Sequence, residues 1–115
     1  MSKRADTDFL NDSKEAILRI NVYVENLSYE EFLNDIKTQD AVVRNLEIIG
    51  EAIKNISKGL KKKYPQIPWK DLSGVRDKLI HHYFGVNLDI VWNIVKKELP
   101  EIILQLEAIL KAEQI

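Results

Sequence analysis

The chain has 115 residues, 45% of them apolar and 30% charged, with a net charge of −1 and no cysteine. That length makes one domain, residues 1–115, whose core needs no metal or disulfide staple. The absence of cysteine excludes thiol catalysis, disulfides and thiolate metal sites, and the near-neutral charge argues against a nucleic-acid binder with a broad basic surface.

The first helix is expected over about residues 6–26. Leu10, Ile17, Ile20, Val24 and Leu27 recur at helical steps along one face, and Phe9 and Tyr23 widen it. Ser28-Tyr29-Glu30-Glu31 reads as a capping box that opens a short second helix anchored by Phe32 and Ile36. Thr38 then starts a long third helix. Its seam is Val42, Leu46, Ile49, Ile53, Ile56 and Leu60, in alternating steps of four and three up to Pro65 and Pro68. Gly50 inside it costs roughly 1 kcal/mol relative to alanine. That cost is understandable if a second backbone passes close by.

Pro68 suits the first position of a fourth helix, where its missing N–H is not needed. Trp69, Leu72, Leu79 and Ile80 give this helix apolar contacts, Gly74 weakens its centre and Gly85 is a natural stop. Asn87 can cap a fifth helix in which Val91, Trp92, Val95 and Leu99 face inward. Pro100 should kink or split it, and the stripe continues through Ile102, Leu106 and Ile109. No strand pattern or repeat interrupts this reading. The expected fold is an all-α, up-and-down antiparallel bundle of four to five helices. Ile103 and Leu110 broaden the last stripe enough to bury against a second copy as well as the chain's own core. A homodimer is therefore one expectation.

No apolar run reaches the length of a membrane span, and Met-Ser-Lys-Arg-Ala-Asp-Thr-Asp lacks a signal's apolar segment. The expected compartment is the cytoplasm, with no membrane partner. Lys58, Lys61, Lys62 and Lys63 cluster, as do Lys96 and Lys97, and both groups read first as solvated helix ends.

The chemistry concentrates in Arg76-Asp77-Lys78-Leu79-Ile80-His81-His82-Tyr83, which holds both histidines. Adjacent histidines do not make the four-residue helical spacing of a zinc pair, so no metal or other cofactor is expected. A histidine with a pKa of about 6.5 can give or take a proton near neutrality. A guanidinium grips phosphate in a fork. Such groups can drive metal-free RNA cleavage, in which the 2′-hydroxyl attacks the adjacent phosphate. On a straight helix, however, Arg76 and His81 stand about 140° apart, while Arg76 and Tyr83 lie within about 20°. An irregular helix, a bent arginine or a second chain would each bring Arg76 and His81 to one phosphate. The competing reading is a surface ion pair, with Asp77 and His81 pairing four apart, His82 a passenger and Tyr83 a core-edge residue.

Ordered blocks sharpen the choice. Arg44-Asn45-Leu46-Glu47-Ile48-Ile49-Gly50-Glu51-Ala52, then Ile67-Pro68-Trp69, then Gly74 to Phe84 with its Arg, four residues, His, any residue, Tyr, then Val91-Trp92 and Leu99-Pro100 follow one another. In these blocks, from about Ala41 to Pro100, the chain resembles the HepT-like toxins of the HEPN superfamily. The resemblance implies a helical bundle that dimerises with the motif near the dimer cleft. It implies a metal-independent endoribonuclease, the toxin of a type VII-like HepT/MntA toxin–antitoxin pair, with Arg76 and His81 as catalytic residues. It implies as partner an MntA-like nucleotidyltransferase antitoxin that attaches AMP to Tyr83, and RNA as substrate. Asn45, Glu51, Asp77 and His82 are candidates to line and support the cleft. Arg44 and Glu47 share a face with Glu51, and for those two a solvated ion-pair stripe is the competing reading. Two other functions stay open: a non-catalytic partner whose chemistry is modification at Tyr83, and a nucleotide-binding HEPN adaptor that holds phosphate with Arg76 and lysines.

Overall fold

The computed structural model describes residues 2–75 and 87–113, with side chains from Asp6 onward. Among the described residues all regular structure is helical. Helix α1 spans Ser2–Val24, α2 Tyr29–Leu33, α3 Ile36–Lys54, α4 Lys58–Lys63 and α5 Trp69–Ser73. Helix α6, Leu88–Asn93, runs through a π-helical turn, Ile94–Glu98, into α7, Leu99–Glu113.

Helix α1 packs on α3 along one side and on α7 along the other, while α2 and α5 pack on α3. Leu10, Ile17 and Ile20 of α1 close the core with Val42, Leu46, Ile49 and Ile53 of α3 and Leu99, Leu106 and Ile109 of α7. Each such side chain, fully buried, contributes about 1.5–3 kcal/mol of hydrophobic free energy before ordering costs. The directions are fixed by polar ties. Asp6, near the start of α1, accepts from the Ser57 backbone N–H at 2.7 Å and from its hydroxyl at 2.6 Å, just beyond the end of α3. Asp6 and Thr7 at the start of α1 also line one hollow with Glu113, the last residue of α7, and Lys14 meets Glu107 midway along both helices at 3.5 Å. Both neighbours therefore run antiparallel to α1, as the up-and-down bundle requires.

The expected capping box is formed. The Ser28 hydroxyl accepts from Glu31 N–H at 3.1 Å, and the Glu31 carboxylate accepts from Ser28 N–H at 2.9 Å. The backbone donor at Ser28, then its side chain, hold the Glu31 carboxyl below its ordinary pKa. Asn87 caps α6 by accepting from Ile90 N–H. Phe32 is buried and stacks obliquely on Trp92, ring centroids 5.0 Å apart.

Several expectations are corrected. Ile36 is not a core anchor of the second helix; it opens α3 and is 70% exposed. The cap of α3 is Asp35, which accepts from Thr38 N–H and from its hydroxyl, so the helix starts ahead of Thr38. Tyr23 does not widen the α1 core face but stands 38% exposed. Helix α1 ends at Val24, and Asn26 takes the left-handed backbone, φ 59°, that asparagine tolerates. The long third helix is two helices, broken at Asn55 and restarted at Ser57, although the six seam residues are buried on both sides of the break. Helix α5 ends at Ser73 with Gly74 as its C-cap, not its centre. Of the two outcomes expected at Pro100, a kink or a split, the helix is not split and continues to Glu113. The proline's missing N–H and ring would disturb the turn before it, and the π turn at Ile94–Glu98 lies at that place, with Leu99 N–H donating to Ile94.

The basic clusters follow the solvated reading. Lys62 and Lys63 are exposed at the end of α4, where the helix dipole favours cations. The Lys63 ammonium lies 2.8 Å from Glu113, which holds it above its usual pKa. The same carboxylate accepts from the Tyr64 hydroxyl at 2.6 Å. Lys96 sits over the Trp92 ring, 4.8 Å from its centroid. No described helix is long and apolar enough to cross a membrane.

Candidate functional site

The site is built on the outer face of α3. At Gly50 another backbone does pass close by. A Cβ there would lie 3.2 Å from Val75 Cγ1, 3.4 Å from the Leu72 carbonyl oxygen and 3.6 Å from that of Ser73. Glycine lets the end of α5 settle directly on α3, and the chain leaves this contact straight into Arg76.

Beside it lies a cleft of about 400 Å³ between α3 and α5. Glu47, Glu51 and Lys54 form its α3 wall, and Lys70, Ser73 and Gly74 the opposite one. Two further hollows adjoin the same face. One, of about 260 Å³, is lined by Gln39, Val43, Arg44 and Glu47 together with Leu88. The other, of about 230 Å³, lies towards α1, between Phe9 and Asp12 on one side and Ile48, Glu51 and Asn55 on the other. Val75 and Leu88 thus both meet α3, one at Gly50 and the other near Val43 and Glu47.

Of the sequence-derived candidates, Glu51 lines the cleft, whereas Asn45, on the same helix, lines none of these three hollows. Glu51 is exposed and shared by the cleft and the α1-side hollow. Asn45 is 5% exposed. Its amide donates to the Ala41 carbonyl at 2.9 Å, and its Oδ1 has no hydrogen-bond partner among the described residues. A buried amide oxygen without a donor costs roughly 1–3 kcal/mol. Arg44 is exposed and Glu47 half-buried, and each lines more than one hollow instead of standing on open surface. Arg76, Asp77, His81, His82 and Tyr83 lie outside the described residues, as do the apolar contacts expected of Leu79 and Ile80 and the stop expected at Gly85.

Sequence reasoning passed over Lys54, Lys70 and Ser73. A signal for Lys54 was present: Arg44, Glu47, Glu51 and Lys54 follow steps of three, four and three along one helical face. Lys70 and Ser73 become visible only once α5 docks against Gly50. The cleft offers ammonium groups for phosphate oxygens and carboxylates for N–H donors, which is the chemistry of a polar, charged ligand.

The comparisons with known proteins agree in one direction. The family model described as "Ribonuclease HepT-like" matches residues 13–109. A protein of Methanocaldococcus jannaschii named "Putative RNase MJ0127" is 47% identical over 111 residues, covering 96% of this chain and 92% of its own. A second from that organism, "Putative RNase MJ1216", is 50% identical over 111 residues, with 96% and 92% covered. "Probable ribonuclease HepT" of Thermococcus cleftensis is 48% identical over 100 residues, with 87% and 91% covered. No solved structure matches. A family match across residues 13–109, which takes in the α3 face, the α5 contact and the Arg-to-Tyr motif, places the chain in the HepT-like ribonuclease family.

Proposed function

We propose that this chain is a metal-independent endoribonuclease in which Arg76 and His81 act on RNA, and that it is the toxin of a toxin–antitoxin pair. The observation that carries the reading is the family match over residues 13–109, which spans the whole motif. The names of the relatives support the same activity.

In the proposed reaction a neutral imidazole removes the proton of the ribose 2′-hydroxyl. The oxygen attacks the adjacent phosphorus, and the bond to the 5′-oxygen breaks as that oxygen takes a proton from an imidazolium. The products are a 2′,3′-cyclic phosphate and a 5′-hydroxyl. The Arg76 guanidinium binds the non-bridging oxygens as charge builds on them. Each chain has one motif histidine, so a homodimer would supply both base and acid. Glu51 lines the cleft from α3, and Asn45, Asp77 and His82 are its proposed supports.

The proposed restraint is covalent. An MntA-like nucleotidyltransferase joins the Tyr83 oxygen to the α-phosphorus of ATP and releases pyrophosphate. The added phosphate and adenosine repel and obstruct RNA at the cleft.

End-group analysis tests this reading. RNA incubated with the unmodified chain in EDTA is expected to give 2′,3′-cyclic phosphate ends. Ends carrying a 3′-hydroxyl, or cleavage that requires added Mg²⁺, would overturn the metal-free mechanism. No cleavage by the folded, unmodified chain on several RNAs would favour the alternative of a non-catalytic substrate of the nucleotidyltransferase.

A further inference from the structure

The cleft between α3 and α5 puts two ammonium groups on facing walls, Lys54 on α3 and Lys70 on α5. Both are exposed, and neither has an ion pair among the described residues. The three ion pairs there use Lys14, Arg19 and Lys63, so lysines with a carboxylate within reach do engage it elsewhere in this chain. The wall of α5 ends at Gly74, two residues ahead of Arg76 in the chain.

A single arginine can hold the scissile phosphate, but it leaves the neighbouring phosphodiesters of the strand to other cations. A strand held at one phosphate alone dissociates readily, and each further cation on its backbone adds affinity that falls with salt. The cleft has room for a phosphodiester, and its two lysines approach from opposite sides. Glu47 and Glu51 on the same wall would repel phosphate, so the strand has to run nearer Lys70 and the α3 end at Lys54 than along the middle of α3.

We infer that Lys54 and Lys70 form a backbone subsite that holds single-stranded RNA by a phosphodiester adjoining the one that is cut. This rests on the ribonuclease reading above. The two lysines are binding residues for the strand. They contribute affinity and salt dependence, not the chemical step.

The test uses the full-length chain. Binding of fluorescently labelled single-stranded RNA is measured with His81→Ala, which does not cut, across a range of KCl concentrations. Adding Lys54→Gln or Lys70→Gln should weaken binding several-fold at low salt. Each should also flatten the plot of log affinity against log salt by about 0.7, the value for one lost phosphate contact on a single strand. In the His81 background Lys70→Arg should restore the slope. With the parent histidine, the glutamine variants should raise KM while kcat stays near parental. Lys62→Gln, an exposed lysine on α4, serves as the control and should change neither quantity. Thermal melts check that all variants fold.

If RNA is bound and cut while the Lys54 and Lys70 variants behave like Lys62→Gln, this inference fails and the ribonuclease reading stands. If the chain neither binds nor cuts RNA, both fail.

Discussion

Gly50 is where the fold reaches the proposed chemistry, and replacing it separates helix propensity from helix packing. Gly50→Ala gains about 1 kcal/mol of helix propensity in the middle of α3. Its Cβ would meet Val75 Cγ1 at 3.2 Å, some tenths of an ångström inside comfortable contact. Val75 is buried and β-branched, so it yields only by a small shift, and crowding costs about as much as the propensity returns. The expected net change is within about 1 kcal/mol of zero. Gly50→Val is different. Its two methyl groups extend from a Cβ already 3.4 Å and 3.6 Å from the Leu72 and Ser73 carbonyl oxygens, and backbone cannot rotate away. Helix α5 must lift off α3, at an expected net cost of about 2 kcal/mol. With an unfolding entropy of about 0.24 kcal/mol per degree for a chain of this length, that lowers Tm by about 8 °C. Because α5 leads directly into Arg76, RNA cleavage should fall roughly tenfold or more even where the variant stays folded. Melting curves and initial cleavage rates on the three chains decide it. A Gly50→Val chain that melts and cleaves like the parent would refute the claim that this close approach positions the motif.

Other outcomes follow from the same structure. Asp6→Ala removes two short bonds from a buried carboxylate to Ser57 and strands the Ser57 N–H, so urea titration should show a loss of about 2–4 kcal/mol, while Asp6→Asn should lose less. Asn45→Leu deletes a buried oxygen without a described partner. It should leave stability unchanged or raise it by about 1 kcal/mol, yet slow RNA cleavage roughly tenfold if Oδ1 serves the site; unchanged cleavage would assign Asn45 no part in it. Acid should weaken the α2 and α3 caps. Backbone and side-chain donors of Ser28 hold the Glu31 carboxyl below its ordinary 4.5, and the Thr38 hydroxyl and N–H hold Asp35 below 3.8. A lowered folded pKa means the contribution is complete above the ordinary value and is lost as pH falls through the folded one. The urea midpoint of the parent should therefore drop below about pH 4.5, and the drop should be shallower in Glu31→Gln with Asp35→Asn.

Much of the fold was legible because its signals are local. The Ser28–Glu31 box and the Asn87 cap are written within four residues, and both form as read. The α3 seam was equally clear, yet its periodicity concealed the break at Asn55. The turn between α3 and α4 keeps the side chains in phase, so Ile53, Ile56 and Leu60 remain buried across it. Ser57 marks the restart locally, its hydroxyl accepting from Leu60 N–H, while Asp6, a partner 51 residues away, holds Ser57 in place. Ile36 was misread because an apolar residue after a short helix looks like its anchor; the Asp35 cap turns it outward instead. Gly50 announced a close neighbour without saying which. The docking of α5 answers that, and with it shows that Lys70 and Ser73 share a cleft with Glu51. Arg76 and His81 stand as a proposal from residue type, spacing and the family match, and both lie outside the described residues.

The most direct test of the account is RNA cleavage by the parent, Arg76→Ala and His81→Ala chains. Each should be shown by intact mass to be free of AMP and by melting to be folded. The parent should cleave in EDTA, and both variants should lose at least about a hundredfold in rate. Equal cleavage by all three chains would contradict this, and would place any activity in the sample somewhere other than Arg76 and His81.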